Sequence, residues 1–228
     1  MLKAVIFDFD GVITDSEILH FRAFNAVLKQ HGVELTTQEY YKSYLGFSDV
    51  DCFKFLIDQG RLRIGQSQIA ALAKQKTAIF ENLAKTEGKL IEGVRDFLAL
   101  LSANNIPMAI CSGALLPEIE ITLEDAALRD CFETIISAEQ VRKGKPHPEG
   151  FLLALEKINA NRRQTIRPQQ CVVIEDSKWG LQAAKTAGMH TVAVTNSYAA
   201  AQLDAEKIVA NLAELTILDL QQLCAASI

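Results

Sequence analysis

The segment Val5-Ile6-Phe7-Asp8-Phe9-Asp10-Gly11-Val12 begins as an apolar strand and ends in two carboxylates separated by one residue. Strand side chains alternate between faces, so Asp8 and Asp10 are expected on the same side. Two like charges that close together, withdrawn from water, are costly to keep ionised. Such a pair persists when a cation neutralises it, or when chemistry needs one carboxyl ionised and the other protonated.

Three further groups stand at comparable places. Glu175-Asp176 closes the apolar run Cys171–Ile174, Ser112-Gly113 follows Met108–Cys111, and Lys145 sits in Arg142-Lys143-Gly144-Lys145-Pro146-His147-Pro148. Each has an ordinary reading when taken alone. Asp176 is a helix N-cap, Ser112-Gly113 a turn, and the Lys145 segment a solvated basic loop. Together they fit one reaction. Hard carboxylate oxygens with no nearby His or Cys point to Mg²⁺. Its expected ligands are Asp8, the backbone carbonyl of Asp10, Asp176, and Glu175 either directly or through water. Ser112 and the N–H groups around Gly113 form an anion cradle. The two prolines and Gly144 suit holding the Lys145 ammonium at one point. Asp8 then attacks a phosphate whose negative charge is offset by Mg²⁺, Lys145 and the cradle. Asp10, kept protonated by its acidic neighbours, protonates the leaving alkoxide and later deprotonates the hydrolytic water.

The elements that must position these groups are legible from periodicity. Apolar residues recur at helical spacing from Ser16 to Gln30. A second helix starts near Thr37, and Leu45-Gly46-Phe47 is a break. Ser48 and Asp51 have capping-box spacing before a helix running to about Gln59, and another spans Gln66 to Lys85. Beyond Glu92, helices and short strands alternate. Strands are predicted at Pro107–Cys111, Thr134–Ile136, Cys171–Ile174, Thr191–Val194 and Ile208–Ala210. Helices are predicted at Gly93–Asn104, Leu115–Leu128, Pro148–Ile158, Lys178–Ala187 and Leu215–Ala225. This is an α/β pattern with a parallel sheet covered on both faces, into which an all-helical block is inserted after the first strand. The core is assigned to residues 1–14 and 89–228, and the insertion to residues 15–88. Ligands of open parallel sheets bind beyond the carboxyl ends of strands, where Asp8/Asp10, Ser112-Gly113 and Glu175-Asp176 all fall.

Composition narrows the class further. The chain is 49% hydrophobic and 22% charged, with net charge −5 and no basic tract, so a nucleic-acid surface is not expected. No stretch is long and apolar enough for a membrane span. The chain enters a strand at once without a signal-peptide layout, so a cytoplasmic location is expected. The five cysteines are odd in number and show no C-x-x-C spacing, and are read as unpaired.

Asp8-Phe9-Asp10-Gly11-Val12, Ser112, Lys145 and Glu175-Asp176 resemble, in order, the four motifs of the haloacid dehalogenase superfamily. The resemblance spans essentially the whole chain. It implies a Rossmann-like three-layer core, a small helical cap that closes over the substrate, Mg²⁺, and an aspartyl nucleophile. The second aspartate is what phosphatases and phosphomutases of that superfamily carry, so Asp10 implies phosphoryl transfer. Asp15-Ser16-Glu17, His20-Phe21-Arg22-Ala23-Phe24 and Glu175-Asp176-Ser177 with Gly180 are similar to the β-phosphoglucomutase-like branch. There the cap lysine corresponds to Lys76. The mutase's phosphate-holding arginine, however, is replaced within Gly46-Phe47-Ser48-Asp49 by an acid. Gly113-Ala114-Leu115-Leu116 also lacks the mutase's polar residues. The expectation is a phosphatase for a small phosphorylated metabolite, a sugar phosphate, acting as a monomer; the alternative is a sugar phosphomutase. Gly46, Asp49 and Lys76 are the cap's candidate substrate contacts, with a solvated helix face as the alternative for Lys76. Trp179 either lines the cleft mouth or packs against a helix. His20 is expected to bond the hinge backbone.

Overall fold

The run Ala4-Val5-Ile6-Phe7 is apolar at every position, as a strand covered on both faces must be. In the computed structural model, which describes residues 1–44, 47–160 and 162–225, it forms β1 (Ala4–Phe7) at the centre of a sheet. Gly46 lies outside the described residues.

The chain divides into two units. One comprises Met1–Asp15 and Leu90–Ile228, the other Ser16–Lys89. The second unit contains α1 (Glu17–Lys29), α2 (Thr37–Ser43), α3 (Asp49–Asp58) and α4 (Ile69–Glu87), and no strand among its described residues. The first continues with α5 (Val94–Ala103), β2 (Met108–Cys111), α6 (Leu116–Asp125), β3 (Thr134–Ile136), α7 (Glu149–Asn159), β4 (Cys171–Glu175), α8 (Lys178–Thr186), β5 (His190–Val194), β6 (Lys207–Val209) and α9 (Ile217–Ala225).

The six strands are ordered β3-β2-β1-β4-β5-β6, and every pairing is parallel. Alternation sorts the strand residues into two cores. Val5, Phe7, Ile110, Val172 and Ile174 pack with Phe97, Ile119 and Leu220. Ala4, Ile6, Ala109, Cys171 and Val173 pack with Phe151, Ile158 and Ala184. The result is a Rossmann-like three-layer unit. In it, β1 lies between β2 and β4, so the carboxyl ends of these three strands are adjacent. Phe7 anchors the first core, with edge-on rings of Phe97 and Phe132 at 6.1 and 6.0 Å.

The helical unit has its own core, which includes Phe24, Leu28, Tyr40, Phe53, Leu56 and Leu72. Asn25 spans a connection, bonding both the N–H and the carbonyl of Leu35. The Thr36–Glu39 capping box starts α2, and Ser48 caps α3 by accepting the Asp51 N–H. All five cysteines are unpaired. No helix of the described residues is long and apolar enough to cross a membrane.

The structure shortens several predicted elements. The predicted helix from Leu115 ends at Asp125 rather than Leu128, because Ala127 takes φ +54° and turns the chain. The helix predicted to begin at Leu215 begins at Ile217, where Thr216 accepts the Asp219 N–H.

Phe7→Ala is expected to lower unfolding free energy by roughly 3–5 kcal/mol, the usual cost of emptying a phenylalanine site in a close-packed core. Urea denaturation would measure it.

Candidate active site

β1 stops at Phe7, so strand alternation does not carry on to Asp10 as predicted. A tight turn carries it instead: the N–H groups of Ile13 and Thr14 both donate to the Phe9 carbonyl, and Gly11 N–H donates to Thr14. Gly11 has φ +77°, a conformation glycine adopts without penalty. The sheet fixes the other members. Asp8 N–H donates to Ile174 in β4 at 2.9 Å, Ser112 N–H donates to Ile136 in β3 at 2.9 Å, and Glu175 is the last residue of β4.

Asp8, Glu175 and Asp176 are all buried, and one carboxylate oxygen from each lies within 4.8 Å of the others. Lys145 meets two of them: Nζ is 2.6 Å from Asp8 Oδ1 and 2.6 Å from Glu175 Oε1. The segment that carries Lys145 contains a cis Lys145–Pro146 bond. Burial, then the charge of Glu175, pushes the Asp8 carboxyl up to about 7, against the pull of Lys145. Asp176 is raised by burial, then by Glu175 and Asp8. Burial alone would lower the Lys145 ammonium, but Asp8 and Glu175 outweigh it and hold the group above its ordinary value.

One ammonium against three buried carboxylates leaves a deficit of positive charge. All three donors are hard oxygens, with no imidazole or thiolate in the group, which fits Mg²⁺. The oxygens of Glu175 are already engaged. Oε1 accepts from Lys145, while Oε2 accepts from the N–H groups of Asp176 and Ser177 and from Ser177 Oγ. Oε1 carries one of these bonds and keeps a lone pair, so both sequence readings, direct ligation and ligation through water, are compatible with its bonding. Gly180 makes this packing possible, because a Cβ there would overlap the Glu175 carboxylate.

Ser112 is buried, and its Oγ accepts the Ala114 N–H at 2.9 Å. Leu115 and Leu116 N–H donate to Glu118 and Glu139. Three of the amides after Ser112 are therefore committed internally, and the cradle narrows to the Ser112 hydroxyl and Gly113. Space around Gly113 is open.

Within the helical unit, Lys76 is brought together with Asp49 and His20. Lys76 is 1% exposed, so the solvated-face reading is corrected: its stem lies by Phe24 and Phe80, which carry the ammonium over their rings at 5.8 and 5.0 Å. Nζ is 2.9 Å from Asp49 Oδ1 and 2.6 Å from His20 Nδ1. The His20 ring stacks on Phe80. Trp179 is nearly half exposed, with Lys178 over its ring. Two residues escaped the sequence reading. Asn196 and Ser197, in the loop after β5, bond Gly11 and Asp176. Their signal was available: Thr195-Asn196-Ser197 is a polar run at the carboxyl end of an apolar strand.

A parallel sheet whose central strand ends in an acidic cluster bridged by one lysine defines a Rossmann-like hydrolase unit. The haloacid dehalogenase-like hydrolase family matches residues 5–194, and the chain belongs to it. A phosphorylated carbohydrates phosphatase of Thermotoga maritima is 30% identical over 192 residues, 84% of each chain. A β-phosphoglucomutase of Bacillus subtilis is 28% identical and covers 95% of this chain and 92% of its own. The crystal structure of CbbY from Rhodobacter sphaeroides in complex with phosphate superposes with a TM-score of 0.86 at 26% identity, covering 97% of this chain and 100% of that one.

Asp8 has an ordinary carboxyl pKa of 3.8 when the chain is unfolded and about 7 when folded. Between these values the folded, cation-free protein binds more protons than the unfolded chain, so this group's effect on stability worsens as pH rises through the window. In EDTA, Asp8→Asn is therefore expected to raise Tm near pH 7.5 more than near pH 5.5. Mg²⁺ is expected to raise the wild-type Tm, also more near pH 7.5. A Mg²⁺ increment larger at the lower pH would contradict the assignment.

Proposed function

We propose that the chain is a Mg²⁺-dependent phosphatase that hydrolyses a small phosphorylated metabolite, a sugar phosphate, through an aspartyl-phosphate on Asp8. The observation that carries this reading is the contact of Lys145 with both Asp8 and Glu175 beside Asp176: a buried carboxylate held at a strand end by one fixed cation, within an otherwise acidic group. Asp8, the Asp10 carbonyl and Asp176 would hold the Mg²⁺, with Glu175 joining them directly or through water. Bound there, Mg²⁺ supplies positive charge that offsets repulsion between the carboxylate and the phosphate.

The chain's own residues account for the remaining steps. The Ser112 hydroxyl and Gly113 N–H bind phosphoryl oxygens, and Lys145 favours the ionised form of Asp8 and orients it. An Asp8 oxygen attacks phosphorus as the P–O bond to the leaving group breaks. Asp10 gives that oxygen a proton, so the product leaves as an alcohol. Asp10, now ionised, takes a proton from water as the water oxygen attacks the phosphoryl group. This releases inorganic phosphate and restores Asp8.

Hydrolysis is favoured over mutase chemistry by the helical unit. A mutase must also hold a second phosphate. Among the described residues, Lys76 is the only Lys or Arg of that unit that is buried, and its charge is already met by Asp49. We assign recognition of the substrate's non-phosphorylated portion to Asp49 and Lys76, whose paired charges suit hydroxyl groups better than a second dianion. The apolar run Ala114-Leu115-Leu116 adds no further anion donor side chain.

A phosphate-release screen over phosphorylated metabolites, with Mg²⁺ or EDTA, tests the reading. Release is expected only with Mg²⁺; isomerisation of a hexose 1-phosphate in the presence of its bisphosphate, without net phosphate release, would replace it with the mutase. Asp8→Asn is expected to lower kcat by at least about 10³-fold with Tm near or above wild type. Asp10→Asn is expected to slow release by about 10²–10⁴-fold for sugar phosphates and far less for p-nitrophenyl phosphate, whose leaving group needs no proton. Equal slowing for both substrates would remove Asp10 as the acid.

A further inference from the structure

Asp176 is held from a loop that none of the four motifs contains. Ser197 Oγ donates to Asp176 Oδ2, and the adjacent Asn196 donates from Nδ2 to the Gly11 carbonyl at 2.7 Å. Gly11 closes the other side. A Cβ on it would overlap Asp176 Oδ2 and lie 3.1 Å from Ser197 Oγ. Oδ2 is thus enclosed between the Gly11 backbone and the Ser197 hydroxyl. A carboxylate fixed through one oxygen cannot rotate freely, and one carboxylate oxygen of Asp176 lies within 4.8 Å of oxygens of Asp8 and Glu175. Asn196 and Ser197 both follow the carboxyl end of β5, beside β4 in the sheet.

We propose that Ser197 is a positioning residue for the cation-binding oxygen of Asp176, with Asn196 holding the Gly11 side of the same enclosure in place. Ser197 acts through Asp176 and touches neither phosphate nor cation. The proposal rests on the reading that the acidic group binds Mg²⁺. Outer contacts of this kind change metal affinity by about 10–100-fold.

The test is calorimetric titration of the EDTA-stripped full chain with Mg²⁺ alone, for wild type, Ser197→Ala and Ser197→Thr, with apo Tm recorded for each. Ser197→Ala is expected to raise the Mg²⁺ Kd by at least about tenfold. Ser197→Thr, which keeps the hydroxyl donor, is expected to restore wild-type affinity. If the alanine variant does not fold, Ser197→Cys, with similar volume and a weak S–H donor, takes its place and the same rise is expected. Unchanged affinity in the alanine or cysteine variant, with wild type binding normally, would overturn the positioning role and leave the cation site standing. Wild-type protein that takes up no Mg²⁺ would overturn both. A threonine variant as weak as alanine would show that the hydroxyl is not the operative group.

Discussion

Repulsion among three buried carboxylates is the constraint around which the α/β unit is arranged. Asp8, Glu175 and Asp176 lie at the ends of neighbouring strands, where the sheet leaves them little freedom to separate. Everything close to them reduces that repulsion or fixes its geometry. Lys145 reaches across from a proline-braced segment, Ser177 and two backbone amides neutralise one oxygen of Glu175, and a hydroxyl takes one oxygen of Asp176. What the surroundings leave is an excess of negative charge directed to one place. That excess suits a hard cation.

The same constraint explains why two glycines flank the acids. Gly11 and Gly180 are the places where a carboxylate lies against backbone with no room for a side chain. In both cases the glycine is needed for close approach, and at Gly11 also for a left-handed conformation. Backbone contact of this sort gives the charged groups rigid neighbours, so their relative positions do not depend on long, flexible side chains.

Much of this was legible in the sequence. The alternation of helices and apolar strands fixed a parallel sheet, and the strand-end rule brought Asp8, Ser112 and Glu175-Asp176 to one edge. The misreadings have a common origin in turns. Alternation was extended past Phe7 into a segment where hydrogen bonds to the Phe9 carbonyl govern direction. The cradle after Ser112 looked larger than it is, because the acids that occupy its amides, Glu118 and Glu139, are ordinary helix-capping residues in sequence. Lys76 illustrates another limit. Its neighbours Lys74 and Gln75 mark a polar helix face, and only the packing of Phe24 and Phe80 with the distant partner Asp49 shows that the side chain is enclosed. Ser197 was missed because its role depends on which strand lies beside β4, which no local pattern encodes.

The Lys76–Asp49 pair also bears on how related activities are separated by mutation. Removing Asp49 would leave the buried Lys76 ammonium without its counter-charge, which is destabilising. Introducing an arginine at position 49, as the mutase branch has it, would do more than remove the counter-charge: it would set a second cation beside Lys76, with His20 already against the ammonium. The substitution that adds a phosphate-holding group therefore carries two costs at once, a lost counter-charge and an added like charge beside Lys76. On this scaffold a change at position 76 or 20 that removes the positive charge or its histidine neighbour would ease an arginine at position 49. The electrostatics of positions 20, 49 and 76 are thus linked, so the effect of a substitution at one depends on the residues at the other two.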